Sequence, residues 1–200
     1  MFGNHDAERA DWKGVSLTDW YRIFAWLAIA TQFAFVLLWL VRIVGIGAGG
    51  AALWAQVRGG LREQGLALAA LVAGVAAAGS LYLSEGGPLV PCRLCWYQRT
   101  MMYPLAVILV IAAVRRDWSI RPYAIALALI GAAVSTWHVL VEWYPTLESS
   151  TSCDPTNPCS ALPLNRYFHY ISIPTMAGTA FLFVASVLWL AGRPTPEEIS

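Results

Sequence analysis

Charge is what this sequence has least of. Asp, Glu, Lys and Arg make up 12% of its 200 residues, about half the share of an ordinary soluble domain. The 13 basic and 12 acidic residues nearly cancel, for a net charge of +1 and a pI near 7.7. That balance offers no basic footprint for a nucleic acid. Internal repeats are missing, and the only compositional bias is an Ala-rich stretch around residues 67–78. A signal peptide is not evident either: about 20 mostly polar residues precede the first apolar run, with no clear small-residue cleavage site after it.

Apolar residues fill the space that charge leaves. They make up 58% of the chain, and mean hydropathy is +0.57, which marks an integral membrane protein. Ten tryptophans suit interfacial anchoring, and Trp20, Trp96, Trp118 and Trp143 fall near the ends of apolar runs. Five segments approach the roughly 20 residues that a helix needs to cross a bilayer: 21–44, 65–83, 96–114, 122–141 and 171–191. Helices are the expected form, because each span must satisfy its own backbone hydrogen bonds in lipid. The second span, with Gly74-Val75-Ala76-Ala77-Ala78-Gly79, reads equally as a closely packed interior helix or as a weak span.

Arg115, Arg116 and Arg121 form a short basic turn, which the positive-inside rule assigns to the cytoplasm. Residues 45–64, with Arg58 and Arg62, fall on the same side by counting spans; they read as a Gly-rich hinge followed by an interfacial helix near Leu53-Trp54. The N-terminus then lies outside, although Arg9, Lys13 and Arg22 oppose that placement.

The four cysteines fall in two pairs, each one span away from the basic turn and therefore both on the extracytoplasmic side. Cys92 and Cys95 stand in Pro91-Cys92-Arg93-Leu94-Cys95, where Pro91 suits a first helical turn. The helix dipole favours thiolate there, which makes a better leaving group in exchange. At about 100° per residue, Cys92, Cys95 and Arg99 lie within about 60° of one another on one helix face. Cys153 and Cys159 bracket Asp154-Pro155-Thr156-Asn157-Pro158 in the longest connection, 142–170, whose turn-forming residues mark a surface loop. In an oxidising compartment they would form a disulfide. Taken alone, this pair reads as a loop staple, and the CxxC reads as redox-active or as half of a four-cysteine zinc site. The five-residue spacer of the second pair argues against zinc. The conjunction of two pairs on one side with an arginine below one of them favours dithiol–disulfide exchange.

The run Pro91-Cys92-Arg93-Leu94-Cys95-Trp96-Tyr97-Gln98-Arg99 resembles the P-C-x-L-C-x-x-x-R signature of the DsbB/BdbC family of membrane thiol:quinone oxidoreductases. Ile171-Ser172-Ile173-Pro174-Thr175-Met176-Ala177-Gly178 resembles that family's start of its last span, and His138 with Tyr144-Pro145 resembles the end of the span before it. The likeness covers about residues 66–190, and the short second loop is closer to the BdbC-type branch. It implies an all-α fold, a four-transmembrane-helix bundle. The first span would be an extra N-terminal transmembrane helix without a counterpart in that core. The corresponding divisions are 1–64, an extension with one span and a cytoplasmic-side loop; 65–192, the redox core; and 193–200, a cytoplasmic tail.

The resemblance further implies a bacterial cytoplasmic-membrane enzyme with Cys92, Cys95, Cys153 and Cys159 as its catalytic cysteines. A DsbA-like thioredoxin-fold partner would attack Cys153. Electrons would pass through Cys159 to Cys92–Cys95 and on to a quinone, ubiquinone or menaquinone, bound with help from Arg99 and His138. Taken as bare residues, Arg99 also reads as a snorkelling arginine and His138 as an interfacial one. Glu85 and Glu142 read as exposed rim carboxylates, Arg166 and His169 as polar anchors, and Gln98 as lying on a different helix face. Two other functions stay open: a non-catalytic membrane scaffold with a structural loop disulfide, and an exporter of reducing equivalents. The export reading is the weaker, since all four thiols lie on one side.

Overall fold

The computed structural model describes residues 17–47, 49–86, 89–150, 153–161 and 166–192. The expectations for the N-terminal residues before these, and for the cytoplasmic tail, lie outside the described residues. The fold is all-helical: α1 Leu17–Val44, α2 Ala51–Leu81, α3 Arg93–Arg115, α4 Arg121–Trp143 and α5 Ile173–Ala191. Among the described residues these five helices are long and apolar enough to cross a membrane.

Four of them make a bundle. α2 packs on α3 and α5, α4 packs on the same two, and α3 and α5 face each other across the diagonal. Small residues set this closeness. Ala124, Ala128 and Ala132, one turn apart on α4, and Ala69 and Ala73 on α2 are buried, so the backbones approach and large side chains interlock between them. Gly131 is a case in point: a Cβ there would collide with the ring of Phe181. Leu105, Leu109, Phe181, Val184 and Leu188 complete the core. The Ala-rich second span is thus a packed helix on one face, while Leu71 and Val75 on its other side stay 63% and 39% exposed.

Residues 51–64 do not form a separate interfacial helix. α2 runs unbroken from Ala51 to Leu81, because Gly59-Gly60 costs only about 2 kcal/mol of propensity and no proline interrupts the ladder. Its end loosens into a π-helical turn, Tyr82–Gly86.

α1 lies outside the bundle, against α5 and the two ends of α2. Few of its residues are buried, and polar contacts hold it. The Tyr21 hydroxyl donates to the Ile171 carbonyl (2.9 Å), Gln32 Nε2 to Thr179 Oγ1 (3.0 Å) and Trp39 Nε1 to Ser186 Oγ (3.2 Å). Such bonds are worth about 0.6–2 kcal/mol each in lipid, where apolar contact alone hardly distinguishes a helix from an acyl chain.

At the end remote from the cysteines, arginines occupy helix C-termini. Arg121 donates to the carbonyls of Leu188 (2.6 Å) and Trp189 (3.1 Å), and Arg62 to that of Ala191 (3.2 Å). Arg116 closes α3 in the left-handed region at φ 53°. Cations here satisfy orphan carbonyls and oppose the negative dipole end.

Candidate functional site

The start of α3 lies two residues beyond the expected one, at Arg93 instead of Pro91. Pro91 stays outside, and Cys92, extended at φ −71° and ψ 173°, is the N-cap. Its sulfur takes the role usually played by a serine oxygen, accepting the Cys95 N–H at 3.3 Å. The two sulfurs lie 2.8 Å apart and are not bonded; Cys92 is buried and Cys95 half-buried. A hydrogen bond from Cys95, assisted by His138 and opposed by burial, holds the Cys92 thiol well below its ordinary pKa.

The second pair is a disulfide with a Cα–Cα distance of 5.9 Å. Since its sulfurs are bonded to each other, a tetrathiolate zinc site would lack two of its donors. Cys159 is 1% exposed and packs with Cys92, Leu94 and Val141, while Cys153 lies at the border of that cluster. The loop is pinned from both sides. Asn157 Nδ2 donates to the Pro91 carbonyl at 3.2 Å, next to the dithiol. The Glu148 carboxylate accepts from the Cys159 N–H, the Ser160 N–H and the Ser160 hydroxyl. Slight burial pushes the Glu148 carboxyl up, but those three donors outweigh it and hold it below the usual carboxylate range.

His138 stands between the two pairs. Its Nε2 is 3.1 Å from the Cys159 carbonyl and 3.7 Å from Cys92 Sγ; its Nδ1 is 2.9 Å from Gln98 Nε2. With the Gln98 amide donating to Nδ1, Nε2 carries the proton and points at the carbonyl and the sulfur. Gln98 is 5% exposed. It does not occupy a different helix face, because the i,i+3 spacing sets it within about 60° of Cys95. Glu142, one turn beyond His138, is 7% exposed with Oε2 unpartnered, not a rim carboxylate; burial follows from α5 and the 166–172 segment closing over the end of α4. It borders a cavity of about 80 Å³ together with Tyr21, Cys92 and His138. Arg166 caps α4, donating to the Glu142 carbonyl at 2.9 Å and stacking on Trp143.

On the far side of Cys95 lies a larger, mostly apolar cavity of about 330 Å³, with Ser80, Cys95, Gln98 and Arg99 meeting at one end. Arg99 is 8% exposed and donates through Nε to Ser80 Oγ (3.0 Å) and through Nη2 to the Ser80 carbonyl (2.9 Å). It also lies over the Trp96 ring, 5.3 Å from its centroid. It is therefore a fixed interior cation, not a snorkelling one. His138 does not line this cavity. The structure gathers Cys92, Cys95, Cys159 and His138 into one cluster, with Cys153 at its rim and Arg99 in the adjoining space.

A helical membrane protein that sets an unbonded dithiol at a helix start against a loop disulfide is built as a dithiol–disulfide protein. The chain belongs to the DsbB family: the family's sequence model, Disulfide bond formation protein DsbB, matches residues 62–191. It is 45% identical over 111 residues to a probable disulfide formation protein of Oceanobacillus iheyensis, covering 55% of this chain and 76% of that relative. To disulfide bond formation protein C of Bacillus subtilis it is 41% identical over 114 residues, 57% of this chain and 82% of the relative. To a probable disulfide formation protein C 2 of Bacillus cereus it is 35% identical over 138 residues, 68% and 98%. No solved structure matches the chain. α1 and the start of α2 precede the family match.

Proposed function

We propose that this protein is a thiol:quinone oxidoreductase that reoxidises an extracytoplasmic thioredoxin-fold partner and passes the electrons to a membrane quinone. The observation that carries this reading is the position of Cys95, which touches the Cys92 cluster on one side and borders the apolar cavity with Arg99 on the other. The family match supports the thiol half. The cavity fits a quinone: it is mostly apolar, with a buried guanidinium and a sulfur at one end.

The steps balance as two electrons and two protons per turnover. A partner thiolate attacks Cys153 Sγ, the less buried sulfur of the loop, and Cys159 leaves as thiolate. The partner's second thiol resolves this mixed disulfide. Cys159 then attacks Cys92 of an oxidised Cys92–Cys95 pair and releases Cys95 as thiolate toward the cavity. Cys153 resolves the Cys92–Cys159 bond, restoring the loop disulfide and releasing Cys92 as thiolate. His138 Nε2–H donates to that departing sulfur, and the helix start stabilises it further. The Cys92 and Cys95 thiolates would give two electrons to a quinone held in the cavity and close again to the Cys92–Cys95 disulfide, and with two protons the quinone would leave as quinol. Arg99 holds positive charge where negative charge develops, in a site with little water to screen it. Residues 65–192 form the redox core in this reading and 1–64 an extension, with the cysteine end extracytoplasmic by the charge of the opposite turn.

Purified protein mixed with reduced partner and a soluble quinone should form quinol, and Cys92→Ser or Cys95→Ser should each abolish it. Full turnover in both variants would make the loop disulfide a staple in a scaffold protein. Cys159→Ala should trap the partner through Cys153; trapping through Cys92 would reverse the order of transfer.

A further inference from the structure

The larger cavity has a wall that the family match does not include. Phe24, Leu27, Ala28 and Thr31 of α1 border it, at the i, i+3, i+4, i+7 spacing of one helix stripe. Thr31 has its hydroxyl bonded to the Leu27 carbonyl at 2.8 Å, so it offers the cavity no free donor. α1 meets α2 near its two ends. At one, Trp20 packs on Tyr82 with ring centroids 4.9 Å apart, and the Phe24 ring fills the space over Gly79. At the other, Arg42 lies over Trp54 at 5.2 Å. Between those contacts the helices stand apart, and Leu71 and Val75 line the gap while remaining partly exposed. From Ser80, beside Arg99, to Leu71 the gap follows α2 for about 13 Å.

We propose that α1 is the outer wall of the quinone site and grips the apolar side chain of a tailed quinone. This rests on the quinone reading above. The polar end, with Arg99 and Cys95, is small and takes the ring. The remainder of the gap is apolar apart from Thr31 and Thr179, whose hydroxyls are bonded to the Leu27 and Thr175 carbonyls, and opens toward lipid between α1 and α2, the direction from which a lipid-soluble tail arrives. The bonds from Gln32 and Trp39 to α5, and from Tyr21 to the Ile171 carbonyl just before it, hold this wall at a fixed distance. Without α1, the gap would be an open groove on α2, α3 and α5, and the tail would exchange one acyl-like environment for another with no gain.

The test uses the full chain in lipid and two quinones with the same ring, one carrying a polyisoprenoid tail and one without. Ala28→Phe fills the gap, and Leu27→Ala removes its wall without adding bulk. Each should raise KM for the tailed quinone, roughly tenfold for Ala28→Phe and roughly threefold for Leu27→Ala. KM for the tail-less quinone, kcat and the quinone-independent exchange with partner should all stay within about twofold. Phe33→Ala, at a position 70% exposed and outside the cavity lining, should change none of these. If both Ala28→Phe and Leu27→Ala shift the two quinones equally, or shift neither, α1 is not the tail wall, and the quinone reading stands as long as Arg99 and Cys95 variants still fail. If the unaltered chain reduces neither quinone, the proposed function itself falls, and the inference with it.

Discussion

The two ends of this bundle use the same few polar residue types to opposite effect. At the basic end, Arg62 and Arg121 spend their donors on the last carbonyls of α5, and each charge meets a dipole end that wants it. At the cysteine end, the corresponding interior cation, Arg99, also caps carbonyl and hydroxyl groups of α2 but borders an open cavity with part of its fork uncommitted. There too a carboxylate oxygen of Glu142 is buried without a partner, and a cysteine sulfur does the work of a cap. One end is satisfied and the other is left reactive. Unpaired buried polar groups are costly, so the Glu142 oxygen that shares a cavity with Cys92 and Cys95 points to use.

Removing the same charge from each end breaks the comparison most sharply. Arg99→Met should cut quinol formation about 10²- to 10³-fold while leaving exchange with the partner intact. Arg121→Met should leave the rate alone and lower thermal stability by about 1–3 kcal/mol. Equal loss of rate in both would mean that Arg99 is only a structural cap. Next in size is His138→Ala, which removes the donor to Cys92. Exchange between the loop and Cys92 should slow about ten- to a hundredfold, and quinone KM should not move, because His138 stands outside the larger cavity. A raised KM with unchanged exchange would return His138 to the quinone.

The smallest effect concerns the loop that covers the site. Glu148 has its pKa lowered on folding, so its hold on Cys159 and Ser160 is complete above the ordinary carboxylate value. That hold is lost as pH falls through the lowered one. Reduction of Cys153–Cys159 by a phosphine should quicken across that acid range. In Glu148→Gln it should already be faster at neutral pH and show no acid step. A step that persists in the variant would assign it to another group.

How much of this was legible beforehand depended on whether a residue's partner was near in sequence. The spans were legible from composition, and α2 differs from the expectation in its first half, where residues 51–64 continue the helix instead of forming a separate interfacial one. Gln98 and Glu142 were set aside, although their i,i+3 and i,i+4 relations to Cys95 and His138 were available; their burial comes from α4, α5 and the 166–172 segment closing over them. His138 is assigned to the quinone by its resemblance to the family pattern at the end of the span before the last. Only the packing of α4 against α3 places it on the loop side of Cys95.

The sequence by itself determined that this chain carries five helices long and apolar enough to cross a membrane, since backbone groups in lipid have no partner but their own segment. It also determined that two cysteine pairs share one end, because spans between them count out that way. Tertiary structure alone decided which sulfur faces which neighbour. His138 meets Cys92 from 46 residues away, and Tyr21 of α1 reaches a carbonyl 150 residues distant. α1 is apolar on nearly every side, so no face of it announced where it would dock. Its place was set by polar bonds and small-residue gaps on α5 and α2, and those exist only once the bundle has packed.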